Sequence, residues 1–304
     1  MPEFCDYEGS DYKQRFWTKE RQYEDLVERK ALSALLPPRG SAVAELGAGF
    51  GRLADLYAGY ERVFLVDFSR TLLRQARQDR SDDPRFTYVA ADIRRLPLAA
   101  NAFDAVVTVR VLHHLRDIRP ALAEAHRILR PEAPYLLEFA NKRHLKSVAR
   151  YLLRRQEWNP FALEPVEFVE LNFDFHPAYI RAHLDEAGLA FETWTALSLF
   201  RWQPLKRRFS PQRLAALEGL LRPLASLYPL TPSVLLRARA RKPAAQAPAH
   251  LLACPECHGP LEEEPRRVVC PACRLQWPVS DGILDFKEPG RPLERVYGSR
   301  VERR

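Results

Sequence analysis

No apolar run in the 304-residue chain approaches the roughly 18–20 residues that a bilayer-spanning helix needs, so no membrane insertion is expected. Residues 1–20 also lack the apolar core of a secretory signal, being charged and aromatic instead, and a cytoplasmic location is the expectation. There is no internal repeat, which excludes a solenoid. Cysteine is nearly missing from the first 250 residues, where Cys5 stands alone, while the other four of the five crowd between Cys254 and Cys273. That distribution argues against a disulfide framework and for a metal in a reducing compartment.

Charge is unevenly spread. Lys and Arg number 47 against 39 Asp and Glu, a formal +8, yet from Leu251 onward there are nine of each, so the excess belongs to residues 1–250. Such a balance permits an anionic partner such as RNA, but it bears on association rather than fold.

A glycine is also missing where one common nucleotide motif would have it. In Glu45-Leu46-Gly47-Ala48-Gly49-Phe50-Gly51-Arg52 an apolar run breaks into three glycines at alternate positions. The segment reads as a strand, a tight turn and a helix start, and a ligand at such a turn sits at the carboxyl end of the first strand. The dinucleotide fingerprint G-x-G-x-x-G would place its third glycine where Arg52 stands. With Glu45 at its head, the pattern E-x-G-x-G-x-G suits a cationic ligand better than a pyrophosphate.

Around this turn strands and helices alternate, as in a parallel sheet with crossover helices. Strands are expected near Ala42–Leu46, Arg62–Val66, Phe86–Ala90, Ala105–Val109 and Pro134–Phe139, with helices near Tyr23–Leu36, Arg52–Ala58, Arg70–Asp79 and Ala121–Leu129. Residues 141–175 read as an insertion on the substrate side, basic at first and then acidic and aromatic. A helix at His176–Ala187, a strand at Leu189–Leu199, a basic-aromatic segment at Phe200–Arg208, a helix at Pro211–Leu221 and an edge-like strand at Ser233–Arg241 follow. The expected fold is α/β, a doubly wound, seven-stranded, mostly parallel sheet over residues 1–241. A linker at 242–250 then leads to a small zinc ribbon at 251–304.

Asp67 ends the second strand 20 residues after Gly47, the position from which a carboxylate reaches the ribose hydroxyls of a nucleoside on the glycine turn. Ser69 is placed to cap the next helix and leave Asp67 available. Asp92-Ile93 ends the third strand. Further on come Leu96-Pro97-Leu98, Phe103-Asp104-Ala105-Val106-Val107, Leu112-His113-His114-Leu115 and Ile128-Leu129-Arg130-Pro131.

In order and spacing these residues resemble the class I S-adenosylmethionine-dependent methyltransferases, in particular the broad group holding quinone C-methylases and tRNA wobble-uridine carboxyl methylases. The resemblance covers about residues 41–140. It implies S-adenosylmethionine as cofactor, Asp92 accepting from the adenine amino group, Ile93 and Phe68 flanking the ring, and the N-terminal lead with Tyr12, Phe16 and Trp17 closing over the site. Glu45, Gly47, Gly49, Gly51, Asp67, Phe68, Asp92, Ile93 and Arg110 are the expected cofactor residues, Arg110 by way of the methionine carboxylate. His113 and His114 are expected at the substrate pocket, more as lining than as a titrating base, and no catalytic residue is assigned. The Asn/Asp-Pro-Pro-Tyr/Phe motif of amide and amine methylases does not follow the fourth strand. O-, C- or S-directed transfer is therefore favoured.

Cys254-Pro255-Glu256-Cys257 and Cys270-Pro271-Ala272-Cys273 form two CxxC pairs with 12 residues between them. Together they can close a tetrahedral, purely structural zinc site. The stretch Leu251–Phe286 is similar to the small zinc-ribbon family that activates tRNA, rRNA and release-factor methyltransferases, which implies an activator or scaffold supplied in cis. The functional expectation is methyl transfer to RNA or a translation-related acceptor. A small-molecule O- or C-methyltransferase, quinone-like or other, is the first alternative, and a non-catalytic cofactor-binding regulator the second.

Overall fold

Five strands rich in Val, Leu, Phe and Ala form the parallel part of the sheet: β1 (Gly40–Leu46), β2 (Tyr60–Asp67), β3 (Phe86–Ala90), β4 (Ala105–Thr108) and β5 (Pro134–Ala140). They lie in the order β3-β2-β1-β4-β5 in a computed structural model that describes residues 7–9, 21–80 and 83–293. Near-continuous burial, such as the pattern of β4 in which every residue is buried, follows from coverage on both faces. The aromatic lead at Tyr12, Phe16 and Trp17 lies outside the described residues.

Helices α1 (Gln22–Leu35), α2 (Arg70–Gln78) and α3 (Arg119–Ile128) pack on this sheet. Ser69 caps α2 by accepting from the Leu72 N–H at 3.2 Å. The expected helix at Arg52–Ala58 is instead a single 3-10 turn, Ala54–Tyr57. Only the residues between Gly51 and Tyr60 return the chain past β1, and a 3-10 turn spans more length per residue than an α-helix.

The insertion comprises α4 (Leu145–Leu152) and a hairpin of β6 (Val166–Val169) and β7 (Asn172–Asp174). After it come α5 (Pro177–Glu186), β8 (Leu189–Leu197), α6 (Gln203–Arg208), α7 (Pro211–Leu227) and β9 (Ser233–Ala240). Helix α7 runs six residues beyond its expected end at Leu221, with Pro223 inside it. The apolar-basic alternation of Ser233–Arg241 suggested an edge strand, but β9 lies inside the sheet, antiparallel to both β5 and β8. Its arginines find partners across the strands: Arg237 and Arg239 both pair with Glu192, and Arg237 donates to the Leu35 carbonyl at 2.7 Å. The edge strand is β8.

The C-terminal strands β10 (Glu262–Glu264), β11 (Arg267–Cys270), β12 (Leu275–Ser280) and β13 (Ile283–Asp285) continue the same sheet. Strand β13 lies parallel to β3, with Ile283 opposite Tyr88 and Asp285 opposite Ala90. The Phe286 N–H donates to the Ala90 carbonyl at 2.7 Å. Leu252, Cys254, Trp277 and Phe286 share one buried cluster with Val89 of β3 and with Leu98 and Phe103 of the segment between β3 and β4.

Candidate functional site

The carboxyl ends of β1 to β4 open onto one cavity, and Glu45, Gly47, Gly49, Asp67, Phe68, Asp92, Ile93 and Arg110 all line it. Gly47 takes φ +77, and a Cβ there would come within 2.1 Å of Val111 Cγ2, so the turn admits no side chain. Gly51 does not line the cavity. A Cβ on it would press at 3.2 Å on Ala76 Cβ and Leu65 Cδ1, so its bareness serves the packing of α2 on β2.

Three carboxylates converge here in different states. Glu45 is 3 % exposed and faces the buried Tyr57 hydroxyl. Burial pushes its carboxyl up to about 7 against the opposing pull of Arg52. Asp67 accepts from the Gly49 N–H at 2.7 Å and the Ser69 N–H at 2.8 Å, which fixes its rotamer across the turn. Asp92 is held in a fork by the Arg94 guanidinium two residues on, with contacts of 2.7–3.0 Å. The Arg94 N–H also donates to Asp92 at 2.8 Å, so Asp67 and Asp92 are both fixed in place at the cavity wall.

Arg110 adopts φ +60 at the tip of β4 and receives its orientation from two acids. Its guanidinium pairs with the buried Glu28 of α1, and its N–H donates to Glu138 Oε2 at 2.8 Å. Glu28 also pairs with Arg52 at 2.8 Å, so α1 ties both cationic residues of the cavity wall.

His113 and His114 lie with ring centroids 3.9 Å apart and planes tilted by 46°, but only His114 lines the cavity. The His114 Nδ1–H donates to the Leu171 carbonyl at 3.3 Å, and Nε2 accepts from the Tyr7 hydroxyl at 3.0 Å. Both partners suit the neutral ring. Burial pushes His113 well below the usual imidazole range, and His114, Arg110 and Arg201 push the same way.

Sequence reasoning missed several groups here. Tyr7 lines the cavity, and the Ser69 hydroxyl donates to its carbonyl at 3.3 Å. Glu8 accepts from the Arg70 and Thr71 N–H groups at 2.9 and 3.1 Å, completing the N-terminus of α2. Against the effect of partial burial, hydrogen bonds from Thr71, Lys287 and Arg70 hold Glu8 at about 2. Asp174, closing β7, is pushed by burial up to about 6, with Arg201 pulling down. Arg201 belongs to a second concavity, a groove lined by His144, Leu145, Lys146, Phe168, Leu199, Trp202, Tyr228 and Leu230 among others. An Asp ending a short hairpin was the signal available for Asp174, whereas nothing local marks a residue brought in from position 7.

At the other end of the chain the Sγ atoms of Cys254, Cys257, Cys270 and Cys273 all lie within 4.8 Å of one another. Cys254 and Cys273 are 4.0 Å apart and Cys257 and Cys270 3.6 Å, too far for disulfides and near the ~3.8 Å edge of a tetrahedron with ~2.3 Å zinc–sulfur bonds. The Glu256 and Cys273 N–H groups donate to Cys254 and Cys270 sulfurs at 3.4 and 3.3 Å, as thiolates need. His258 stays outside the cluster.

Residues 44–137 match the methyltransferase-domain family of type 11, and residues 249–282 match the Trm112p-like family. A 2-phytyl-1,4-naphtoquinone methyltransferase of Nostoc punctiforme is 31% identical over 162 residues, covering 50% of this chain and 68% of that one. A 37.1 kDa transposon protein of Streptomyces fradiae is 38% identical over 115 residues, which is 36% of this chain, and the chain spans 32% of its length. In backbone the chain is similar to one from the complex between the Haloferax volcanii Trm112 methyltransferase activator and a methyltransferase. That likeness has a TM-score of 0.52 at 19% identity and covers 76% of this chain and 92% of that one. A glycine turn ringed by acids at three strand tips, family matches at both ends and the extent of the Nostoc relationship agree: the chain belongs to the class I S-adenosylmethionine-dependent methyltransferases, and carries a Trm112p-like domain at its C-terminus.

Proposed function

We propose that the chain transfers a methyl group from S-adenosylmethionine to an apolar small-molecule acceptor, quinone-like in class, and that its ribbon at 251–304 holds a structural zinc and supports the cofactor site in cis. The observation that carries the acceptor reading is the groove beside His144 and Arg201, walled by Leu145, Phe168, Leu199, Trp202, Tyr228 and Leu230. Arg201, in this groove, acts on the charge of both His113 and Asp174.

The cavity fits the cofactor. Carboxylates at three adjacent strand tips repel one another unless a cation or several donors join them, and Gly47 keeps the cradle beside them bare, where a Cβ would fall 2.1 Å from Val111 Cγ2. Glu45 would take the amino group, Asp67 the ribose hydroxyls, Asp92 the adenine amine, with Phe68 and Ile93 on the ring faces and Arg110 toward the carboxylate. The bound cofactor supplies a methyl group already activated on a sulfonium, so the chain's task is alignment and exclusion of water. Tyr7, tied to His114, covers one side of the cavity.

Labelled methyl transfer onto a fractionated extract tests this reading. Label is expected in the organic-soluble fraction. A second reading, methylation of RNA or a translation factor, draws on the Trm112p-like match and on the basic residues of 142–155 and 201–208. Label confined to RNA or protein would establish it in place of the first.

A further inference from the structure

Among the described residues, large apolar side chains are left in solvent mainly in one set of elements. Helix α7 buries Leu214, Ala215 and Glu218, yet Leu217, Leu220, Leu224 and Leu227 are 45%, 80%, 70% and 76% exposed. Their spacing of three, four and three residues makes a continuous stripe along one side of the helix. Helix α4 leaves Leu145 and Leu152 64% and 70% exposed, one heptad apart. Phe168 of the hairpin, Trp202 and Tyr228 are 55%, 65% and 58% exposed. Leu145, Phe168, Trp202 and Tyr228 line the same groove, so α4, the hairpin and the start and end of the α6–α7 segment share one face.

Water-exposed leucines in a stripe are costly unless something covers them, and contiguous apolar patches on soluble chains mark protein or membrane contacts. The surrounding charge indicates which. Residues 142–163 carry six Lys and Arg against the single acid Glu157, and residues 200–228 carry six against Glu218, which is buried. Lys146 and Arg201 stand in the groove itself, and the Arg143 guanidinium lies 4.4 Å over the Tyr228 ring. A second copy would bring like charge against like charge. Leucine side chains offer RNA bases no stacking surface, whereas leucines amid arginines with a Trp and a Tyr suit the boundary between anionic headgroups and acyl chains.

We propose that α4, the β6–β7 hairpin, α6 and α7 form a surface that docks peripherally on an anionic lipid bilayer. The leucine stripe enters the acyl boundary, and the groove is presented to an apolar acceptor held in the lipid. No element spans the membrane: among the described residues no helix is long and apolar enough to do so. The proposal extends the apolar-acceptor reading but is tested without turnover. A water-soluble, short-chain acceptor would still be methylated if docking failed.

The full chain is sedimented with vesicles of phosphatidylcholine alone and of phosphatidylcholine with phosphatidylglycerol, at low and high salt. Binding is expected to the anionic vesicles, weaker to the neutral ones and reduced by salt. The double substitution Leu224→Ser and Leu227→Ser, both at exposed positions, should lower partitioning on the order of tenfold or more with an unchanged melting temperature. Arg150→Glu with Arg154→Glu should lower it on the anionic vesicles only. No binding to anionic vesicles at low salt overturns the proposal. So does equal binding by the leucine variant, or a self-associating chain that the leucine substitutions render monomeric. RNA binding indifferent to the leucines, without vesicle binding, would assign the basic surface to nucleic acid instead.

Discussion

The Lys287 ammonium sits 4.0 Å from the ring centroid of Phe68, joining the C-terminal domain to a side chain of the cofactor cavity. The same ammonium pairs with Glu8 at 3.1 Å, and Glu8 in turn completes the N-terminus of α2. Arg70 and Arg74 on α2 pair with Asp285 and Asp281 at 2.6 and 3.0 Å. Segments far apart in the chain thus brace one cavity wall.

From this bracing follows a first prediction. Lys287→Ala removes the cation over Phe68 and the partner of Glu8, and cofactor affinity should fall about two- to tenfold while the fold is kept. Calorimetric titration with S-adenosylmethionine or its demethylated product checks it, and an unchanged Kd would show that the contact is incidental.

Asp67 receives two backbone N–H groups, and Asn would turn an amide donor toward one of them. Asp67→Asn should therefore weaken cofactor binding by roughly ten- to a hundredfold. Retained affinity would remove Asp67 from the proposed ribose contact.

Glu45 carries a pH signature. Its carboxyl is raised from an ordinary 4.5 to about 7, with Arg52, Tyr57, Asp67 and Arg80 as the facing groups. A raised acid favours folding while protonated, so in the free chain this contribution is present below 4.5 and is lost as pH climbs through about 7. A cationic ligand reverses the preference by stabilising the carboxylate. Cofactor affinity should rise from pH 6 toward 8, and Glu45→Gln should flatten that rise; a parallel profile in the variant would point to another group.

Zinc content of freshly purified protein should be near one per chain, since four sulfurs lie within 4.8 Å of one another. Because Cys254 and Cys270 are buried in the same cluster as Val89 and Phe103, the domain is not an independent bead. Chelation, or Cys270→Ser, should lower Tm by more than about 5 °C and weaken cofactor binding as well. A loss of zinc that leaves cofactor affinity intact would decouple the two.

The sequence by itself determined the cofactor turn and the four-cysteine cluster, because both are written in short range. Gly47 must be glycine for a reason set by its own φ of +77, and the two CxxC pairs supply ligands at spacings that a knuckle turn enforces. The parallel strands were equally legible, since buried strands read as unbroken apolar runs. The length of the turn after Gly51 was not legible, nor the inner position of β9, where arginines that looked solvent-facing pair across strands with Glu192. Only the tertiary structure decided that β13 joins β3, that Lys287 and Tyr7 reach the same cavity, and that the leucines of α7 face outward. Each depends on partners brought together from distant parts of the chain, and periodicity reports that a face is apolar without saying what covers it.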